Sequence, residues 1–213
     1  MRPIASPRLP AVLEAPDEHP VLVDEAVLRG LDLVADFARA TAADAEFASC
    51  RFTGTDLTGA TLRRAAFTDC RFERGNLANL HAERSSMRRV RLDTARLTGF
   101  HWIDGVLRDV EFTGCRADLA AFRFTRFAVV AFERCNLARA DFQNADLTGV
   151  SFTDCDLTGA QFSHATMTGA RFTRCDLSGV GGVTSFRGAI LTGQDLIALS
   201  RTLAAALGII VEP

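Results

Sequence analysis

Six cysteines are the first residues of this 213-residue chain whose type and spacing could support chemistry. Four recur at every twentieth position, and Cys50 and Cys70 share that interval; the four are Cys115, Cys135, Cys155 and Cys175. Aligned thiols could hold a metal or form disulfides. However, a column that advances by ~4.8 Å per step is linear rather than tetrahedral, and no histidine joins it. Disulfides also need side chains turned toward each other. We therefore predict free thiols that fill a core, as in a reducing cytoplasm.

Other residues typical of active sites are scattered, and the four histidines are His19, His81, His101 and His164. His81 and His101 are separated by the same interval as the cysteines, so we expect them to stack on one outer face, as a surface pair or as a coincidence of a polar position. The glycines near position 180 lack the context of a phosphate loop and favour a turn. The chain has no nucleophile elbow, HExxH or CxxC motif. We expect no enzyme activity, no metal site and no cofactor.

A period of five residues organises the chain. From Phe37 to Leu177 every fifth residue is apolar, and Phe or Leu fills 23 of these 29 positions. A series of mostly small residues, which includes all six cysteines, precedes each of them by two. This period matches neither the 3.6 of a helix nor the 2.0 of a strand. It indicates a solenoid that turns a corner every five residues.

The same period predicts which positions form the core, the corners and the surface. Glycine recurs two residues after the central apolar residue, where a corner needs a permissive backbone. Central residues 20 apart are expected to stack in columns. In one column the side chains change abruptly in size from one coil to the next, through Leu62, Ala82, Trp102 and Phe122. This predicts a bulge or bend within residues 80–107.

Three segments carry a family resemblance: Ala145-Asp146-Leu147-Thr148-Gly149, Cys155-Asp156-Leu157-Thr158-Gly159 and Ala60-Thr61-Leu62-Arg63-Arg64. Each has a small residue, a polar residue, a Leu and two further residues, and so resembles the pentapeptide repeat family. The resemblance implies an all-β solenoid, a right-handed quadrilateral β-helix with a short C-terminal helix and strand. We assign residues 1–20 to an irregular segment, 21–192 to the β-helix and 193–213 to a C-terminal module.

The ends of the β-helix depart from the five-residue register. Val27 is placed in register in the first coil, and the count slips by one near Gly181, so that Phe186 and Leu191 form a last partial coil. Thr192 and Asp195 then predict a capped helix that ends at Gly208.

The C-terminal segment Leu203–Pro213 is similar to that of the Qnr and MfpA type of pentapeptide repeat protein. In that type a helix and strand join two rods end to end. The resemblance therefore implies a two-fold homodimer, with a leucine face on the helix followed by a short strand; the interface residues would be Leu196, Leu199, Leu203, Leu207, Ile209, Ile210 and Val211.

The Qnr and MfpA resemblance also implies a partner. Proteins of that type imitate duplex DNA, occupy DNA gyrase or topoisomerase IV and protect it from poisons such as quinolones. About seven coils at the inter-strand spacing give a rod of ~34 Å. Outward carboxylates would replace phosphates, and the candidates are Asp56, Asp141, Asp146, Asp154, Asp156 and Asp176.

The distribution of charge leaves open an alternative function, a generic protein-interaction scaffold. The net charge is only −2, and residues 63–100 carry nine Arg and four acids. Their basic patch, given by Arg63, Arg64, Arg84, Arg88, Arg89, Arg91 and Arg96, could instead serve a generic protein-interaction scaffold. Direct nucleic-acid binding is disfavoured by the interleaved acids. No apolar run reaches the ~18 residues of a membrane helix, and the N-terminus lacks a signal-peptide core. We expect a cytoplasmic protein.

Overall fold

The computed structural model describes residues 3–16 and 20–210. Residues 27–191 wind into a four-sided β-helix, and one α-helix follows it. The described elements are β1 (Val27–Arg29), β2 (Asp32–Leu33), β3 (Thr41–Ala43), β4 (Glu46–Ala48), β5 (Arg51–Thr53), β6 (Thr61–Arg63), β7 (Ala66–Glu73), β8 (His81–Glu83), β9 (Ser86–Asp93), β10 (His101–Ile103), β11 (Val106–Thr113), β12 (Arg126–Glu133), β13 (Ser151–Thr153), β14 (Arg171–Thr173), a 3-10 helix (Val183–Phe186), β15 (Ile190–Leu191) and α1 (Gly193–Ala206).

Each coil has four sides, which we number by their inward central residues. These residues recur every 20 positions: from Phe37 to Leu177 on side 1, Ala42 to Phe162 on side 2, Phe47 to Met167 on side 3 and Phe52 to Phe172 on side 4. All strand pairs are parallel. Sides 3 and 4 share an 11-stranded sheet and side 2 has four strands, whereas isolated bridges join the coils on side 1.

Stacked apolar columns form the core, as the period predicts. Phe52 and Phe72 stack with ring centroids 4.2 Å apart, and Phe112 and Phe132 are 4.5 Å apart. All six cysteines are free and buried, which confirms their prediction as core residues. Burial raises the pKa of the Cys70 thiol, which keeps it protonated. Because each coil contacts mainly its neighbours, stability depends on these continuous columns.

The prediction of a bulge within residues 80–107 is wrong. Trp102 pairs in register with Ala82, and the strands on either side keep the 20-residue spacing. The small Ala82 leaves room for the indole in the column, and Gly105 leaves room beside it. A Cβ on Gly105 would lie 2.3 Å from the Trp102 Nε1 atom. Size differences in the column are therefore absorbed by side chains, and the backbone stays regular.

Every corner of the repeat body has one residue in the left-handed backbone conformation. The residue two after each central position has a positive φ at all 29 positions from Arg39 to Gly179. Only eight of them are glycine, so 21 side chains are held in a conformation that costs L-residues about 1–2 kcal/mol. The glycine-corner prediction is correct but covers a minority of the corners.

The first coil is shifted by one residue. Leu28 pairs with Phe47 and Leu33 with Phe52, each one position short of the 20-residue spacing, which begins at Asp36. Leu28 is therefore the residue that packs against the core, whereas Val27 is 54% exposed. The prediction that Val27 lies in register is wrong. The spacing changes from 19 to 20 residues between Leu33 and Asp36, so the residues before this point are offset by one position.

The C-terminal slip is confirmed. Leu191 pairs with Phe172, again one position short of the regular spacing, and the Phe186 ring lies 5.4 Å from the ring of Phe172. Thr192 caps α1 through a reciprocal capping box with Asp195, and the helix ends before Gly208, whose φ is +71°. These features close the solenoid with a helix.

The four leucines predicted to form one face of α1 lie in two different environments. Leu199 is buried and Leu203 packs against the core, but Leu196 and Leu207 are 51% and 76% exposed. Residues 209 and 210 do not form the predicted strand, and Val211 lies outside the described residues.

Candidate partner-binding surfaces

One polar row runs the length of side 1. Isolated bridges join its members in the order Asp36, Asp56, Asn76, Arg96, Arg116, Asn136, Asp156 and Asp176. The carboxylate oxygens accept hydrogen bonds from the backbone two residues on, for example Asp56 from Thr58 at 2.8 Å and Asp156 from Thr158 at 2.9 Å. The Asn136 Oδ1 atom accepts the same bond from the Ala138 N–H at 2.9 Å. These side chains therefore shape the turn and also present charge to solvent.

Three of the six predicted acidic residues lie in this row: Asp56, Asp156 and Asp176. Asp156 and Asp176 are directly bridged, one coil apart. Hydrogen bonds from the Ser178 hydroxyl and backbone N–H hold the pKa of Asp176 below its usual value. None of the three makes an ion pair with any residue described, so their charges are not balanced locally.

The other three acidic residues lie elsewhere. Asp141 is on side 2, where Arg123 Nε contacts it at 2.5 Å, and Asp146 is on side 3, where it bonds Thr148. Asp154 lies at the corner after side 4. Its hydrogen bonds with Arg174, at 2.6 and 2.7 Å, hold its pKa below the usual value. The fold does not bring the six carboxylates onto one face.

The seven predicted basic residues are also separated by the fold. Arg96 is on side 1, Arg63 on side 2, Arg88 on side 3 and Arg91 on side 4, because their positions in the five-residue count differ. The rest are corner residues with acidic partners: Arg64 with Asp44, Arg84 with Asp104 and Arg89 with Asp69. The segment is basic in sequence, but it does not form a single patch.

The two histidines expected to stack do so on side 2. The His81 and His101 rings are 4.3 Å apart, edge to face, beside a shallow depression whose floor includes Leu62 and Ala82. Burial, with smaller contributions from His81 and Arg123, lowers the pKa of His101. Over residues 3–16 and 20–210, no group of three potential metal ligands is found.

The structure reveals one site that the sequence reasoning missed. Asp69 and Asp109, at the corner between sides 3 and 4, are almost fully buried, and both accept hydrogen bonds from the N-terminal segment. Burial opposes ionisation of Asp69, but Arg89 and the Arg8 backbone N–H outweigh it and keep its pKa below the usual value. The signal was present in the sequence as an Asp–Arg–Asp series at 20-residue spacing, together with prolines at positions 3, 7 and 10.

The C-terminal end presents an apolar surface. Leu196, Leu207, Ile209 and Ile210 are between 51% and 89% exposed, and Ile197 is 76% exposed. Exposed apolar side chains in this number are typical of a contact surface. Among the described helices, none has the length and apolar character needed to span a bilayer.

Comparison with known proteins defines the class: the chain belongs to the pentapeptide repeat family. A model of pentapeptide repeats in eight copies matches residues 35–74, and a model of the pentapeptide repeat region matches 85–162 and 125–193. The fold is accordingly the right-handed quadrilateral β-helix of this family. No curated protein matches the chain.

Solved structures with the same repeat fold come from several sources. A trypsin-treated variant of QnrB1, a plasmid-mediated fluoroquinolone resistance protein, is 22% identical, with 89% of this chain and 99% of that chain covered and a TM-score of 0.36. HetL of the cyanobacterium Nostoc, involved in regulating heterocyst differentiation, is 17% identical, with 79% and 90% covered and a TM-score of 0.28. A thylakoid-lumen protein of Arabidopsis thaliana is 24% identical, with 55% and 68% covered and a TM-score of 0.34. At these identities the likeness concerns the fold alone.

Proposed function

We propose that this protein is a non-enzymatic binding rod whose partner is DNA gyrase or topoisomerase IV in the cytoplasm, and that binding protects the topoisomerase from a poison such as a quinolone. The observation that supports this best is the side 1 row, in which Asp56, Asp156 and Asp176 have no cationic partner among the described residues. A surface that contacts a DNA-binding groove needs such uncompensated negative charge along its axis.

Dimerisation would concentrate this charge. If two rods meet through their exposed C-terminal residues, the Asp156 and Asp176 carboxylates of both protomers lie in the coils nearest the joint. Arg96 then lies outside this central stretch, and the Arg116 guanidinium is balanced by Asp118 at 3.0 Å. The two rods together extend for ~70 Å at the inter-strand spacing, close to 20 base pairs of ~3.4 Å.

Gyrase supercoiling and cleavage assays test the proposal. Titrated protein is expected to inhibit supercoiling or to reduce the cleavage that a fluoroquinolone traps. The double variant Asp156→Asn with Asp176→Asn should weaken this effect at least tenfold. It keeps the turn, because Asn136 in the same row already makes that hydrogen bond.

A matched control removes two carboxylates from corners of side 2. The variant Asp44→Asn with Asp104→Asn changes net charge equally and should retain full activity. If purified protein neither affects gyrase nor is retained by it in a pull-down, the topoisomerase proposal is wrong. Equal loss in both double variants would mean that net charge, rather than the side 1 row, determines binding.

A protein-interaction scaffold without a topoisomerase role is the second candidate, and side 3 favours it. Arg88, Arg108 and Arg126 are exposed there without an ion-pair partner in residues 3–16 and 20–210. Such a surface fits an acidic protein better than a DNA-binding groove. Absence of any effect on gyrase, together with loss of a different partner in an Arg88→Gln, Arg108→Gln variant, would favour the scaffold. A mobility shift on DNA would instead indicate nucleic-acid binding.

A further inference from the structure

We propose that the corner between sides 3 and 4 is a binding site for extended, proline-containing peptides, which the protein's own residues 3–10 occupy. We call residues 3–10 the strap. The site is built from three corner residues one coil apart: Asp69, Arg89 and Asp109. Nothing in the repeat itself requires an Asp–Arg–Asp series at this corner.

Backbone groups of the strap make the defining contacts. The Arg8 N–H donates to Asp69 Oδ1 at 2.9 Å, and the Ala5 N–H donates to Asp109 Oδ1 at 3.2 Å. Arg89 holds the Asp69 carboxylate in place with hydrogen bonds of 2.6 and 2.5 Å. Hydrogen bonds to ionised acceptors are stronger than neutral ones, so the contact with the Asp69 carboxylate favours docking. Because both contacts use main-chain groups, they recognise a conformation rather than a side chain.

The spacing of the site matches a polyproline-like chain. Asp69 and Asp109 are two coils apart, which is ~9.6 Å at the inter-strand spacing. Three residues of a polyproline helix, the interval between Ala5 and Arg8, rise ~9.3 Å. In such a helix every third residue has the same orientation, so both N–H groups point at the same row of carboxylates. A β-strand would alternate its donors, so two N–H groups three residues apart would point in opposite directions.

Proline residues fit this arrangement. Pro3, Pro7 and Pro10 have no N–H to leave unpaired, and they restrict the residues before them to extended conformations. The strap is therefore stiff before it binds, which reduces the entropy lost on docking. The Arg91 guanidinium, which is held by Glu111 at 2.8 Å, lies beneath Ile4 and Ser6 and completes the groove.

Burial distinguishes this corner from the others. The Asp69 side chain is 10% exposed, whereas aspartates at strap-free corners, Asp44, Asp104 and Asp154, are 36–58% exposed. The low exposure of Asp69 therefore follows from its cover by the strap. Another peptide with N–H groups three residues apart and prolines between or beside them would compete for the same acceptors.

The test uses the full-length chain with its strap disabled. Substituting Ala5→Pro and Arg8→Pro removes both donors, and a fluorescent peptide of residues 3–12 is then titrated and followed by anisotropy. We expect saturable binding. A peptide methylated on the backbone nitrogens of Ala5 and Arg8 keeps every side chain but lacks these two donors, and should bind at least tenfold more weakly. Wild-type protein should also bind the peptide at least tenfold more weakly, because its own strap competes at high effective concentration.

Variants of the acceptors provide the second arm. Adding Asp69→Ala and Asp109→Ala to the disabled-strap chain removes both acceptors and should abolish peptide binding, whereas Asp44→Ala with Asp104→Ala should leave it unchanged. The methylated peptide leaves the protein's fold untouched, so it decides the question even if the acceptor variant unfolds. Absence of saturable binding, or equal affinity for the methylated and unmodified peptides, would overturn the proposal.

Discussion

At the scale of single residues, the backbone conformation of the corners restricts which residue types are tolerated there without strain. Each corner holds its residue at a positive φ, and glycine is free of the steric penalty that other residues carry there. Leu119, Phe124 and Val129 occupy three successive corners of one coil at φ values of 60°, 57° and 61°. Leu119 and Phe124 are also more than half exposed. Continuous columns of core contacts must therefore offset a strain that recurs every five residues.

Substitutions at two glycines that adjoin open space distinguish the effect of backbone strain from the effect of packing. A Cβ added at Gly149 or at Gly193 would meet no atom within 4 Å, but only Gly149 has a positive φ, +70°. Gly149→Ala is therefore expected to lower the free energy of unfolding by about 1 kcal/mol. Gly193→Ala, in the first turn of α1, should leave it unchanged or raise it by about 0.5 kcal/mol. Urea unfolding measures both, and effects of the same sign would contradict the strain argument.

Gly105 is required for a different reason: a side chain at this position would clash with Trp102. An added Cβ would lie 2.3 Å from Trp102 Nε1 and 2.8 Å from the Ser85 carbonyl oxygen. Gly105→Ala is expected to cost about 1–3 kcal/mol by overpacking. Combining it with Trp102→Phe should recover part of that loss. Additive effects of the two substitutions, measured in a double-mutant cycle, would mean that the side chains do not compete for this space.

At the scale of elements, α1 closes the open edge of the last coil. Within the body, a corner N–H donates to the following coil, as Asp154 does to the Thr173 carbonyl oxygen at 3.0 Å. At the C-terminal end no further coil supplies these carbonyl acceptors. The Asp195 carboxylate instead accepts hydrogen bonds from the Arg174 and Cys175 N–H groups, at 3.2 and 2.7 Å. One side chain thus caps both the helix and the solenoid.

Removing this carboxylate should destabilise the C-terminal end. Asp195→Ala leaves buried N–H groups unpaired and is expected to cost about 2 kcal/mol or more. Asp195→Asn keeps one acceptor oxygen and should cost less. Hydrogen exchange of the Arg174 and Cys175 amides reports the effect locally, and Gln194→Ala on the exposed side of the same turn serves as the control. Unchanged amide protection in Asp195→Ala would contradict the capping role.

Several of these elements were predictable from the sequence and others were not. The 20-residue columns, the cysteine positions and the Thr192–Asp195 cap follow from local periodicity and pattern. The shifted first coil and the exposure of Leu196 and Leu207 depend on how each end packs against its neighbour, which periodicity does not encode. The strap depends on contacts between segments far apart in the chain, such as Ala5 with Asp109. The Asp–Arg–Asp series and the prolines are visible in the sequence, but no local pattern pairs the two.

At the scale of the whole molecule, the exposed C-terminal residues decide whether rods associate. The proposed homodimer predicts that Leu207→Glu with Ile210→Glu gives a monomer, because two charges would be buried in an apolar joint. Light scattering coupled to size exclusion measures the mass. Val12→Glu with Val34→Glu, at residues 78% and 72% exposed far from this end in sequence, should not change the mass. The dimer proposal fails if the first variant has the same mass as wild type.

The sequence by itself determined the repeat, its core and the absence of catalytic motifs, because a five-residue period leaves one inward position per side wherever it continues. Only the tertiary structure decided which charges share a face. Residues close in sequence, such as Arg88 and Arg91, lie on different sides of the rod, whereas Asp156 and Asp176 become neighbours. It likewise revealed that Asp69 and Asp109 accept hydrogen bonds from the N-terminal segment, since this depends on contacts between distant parts of the chain.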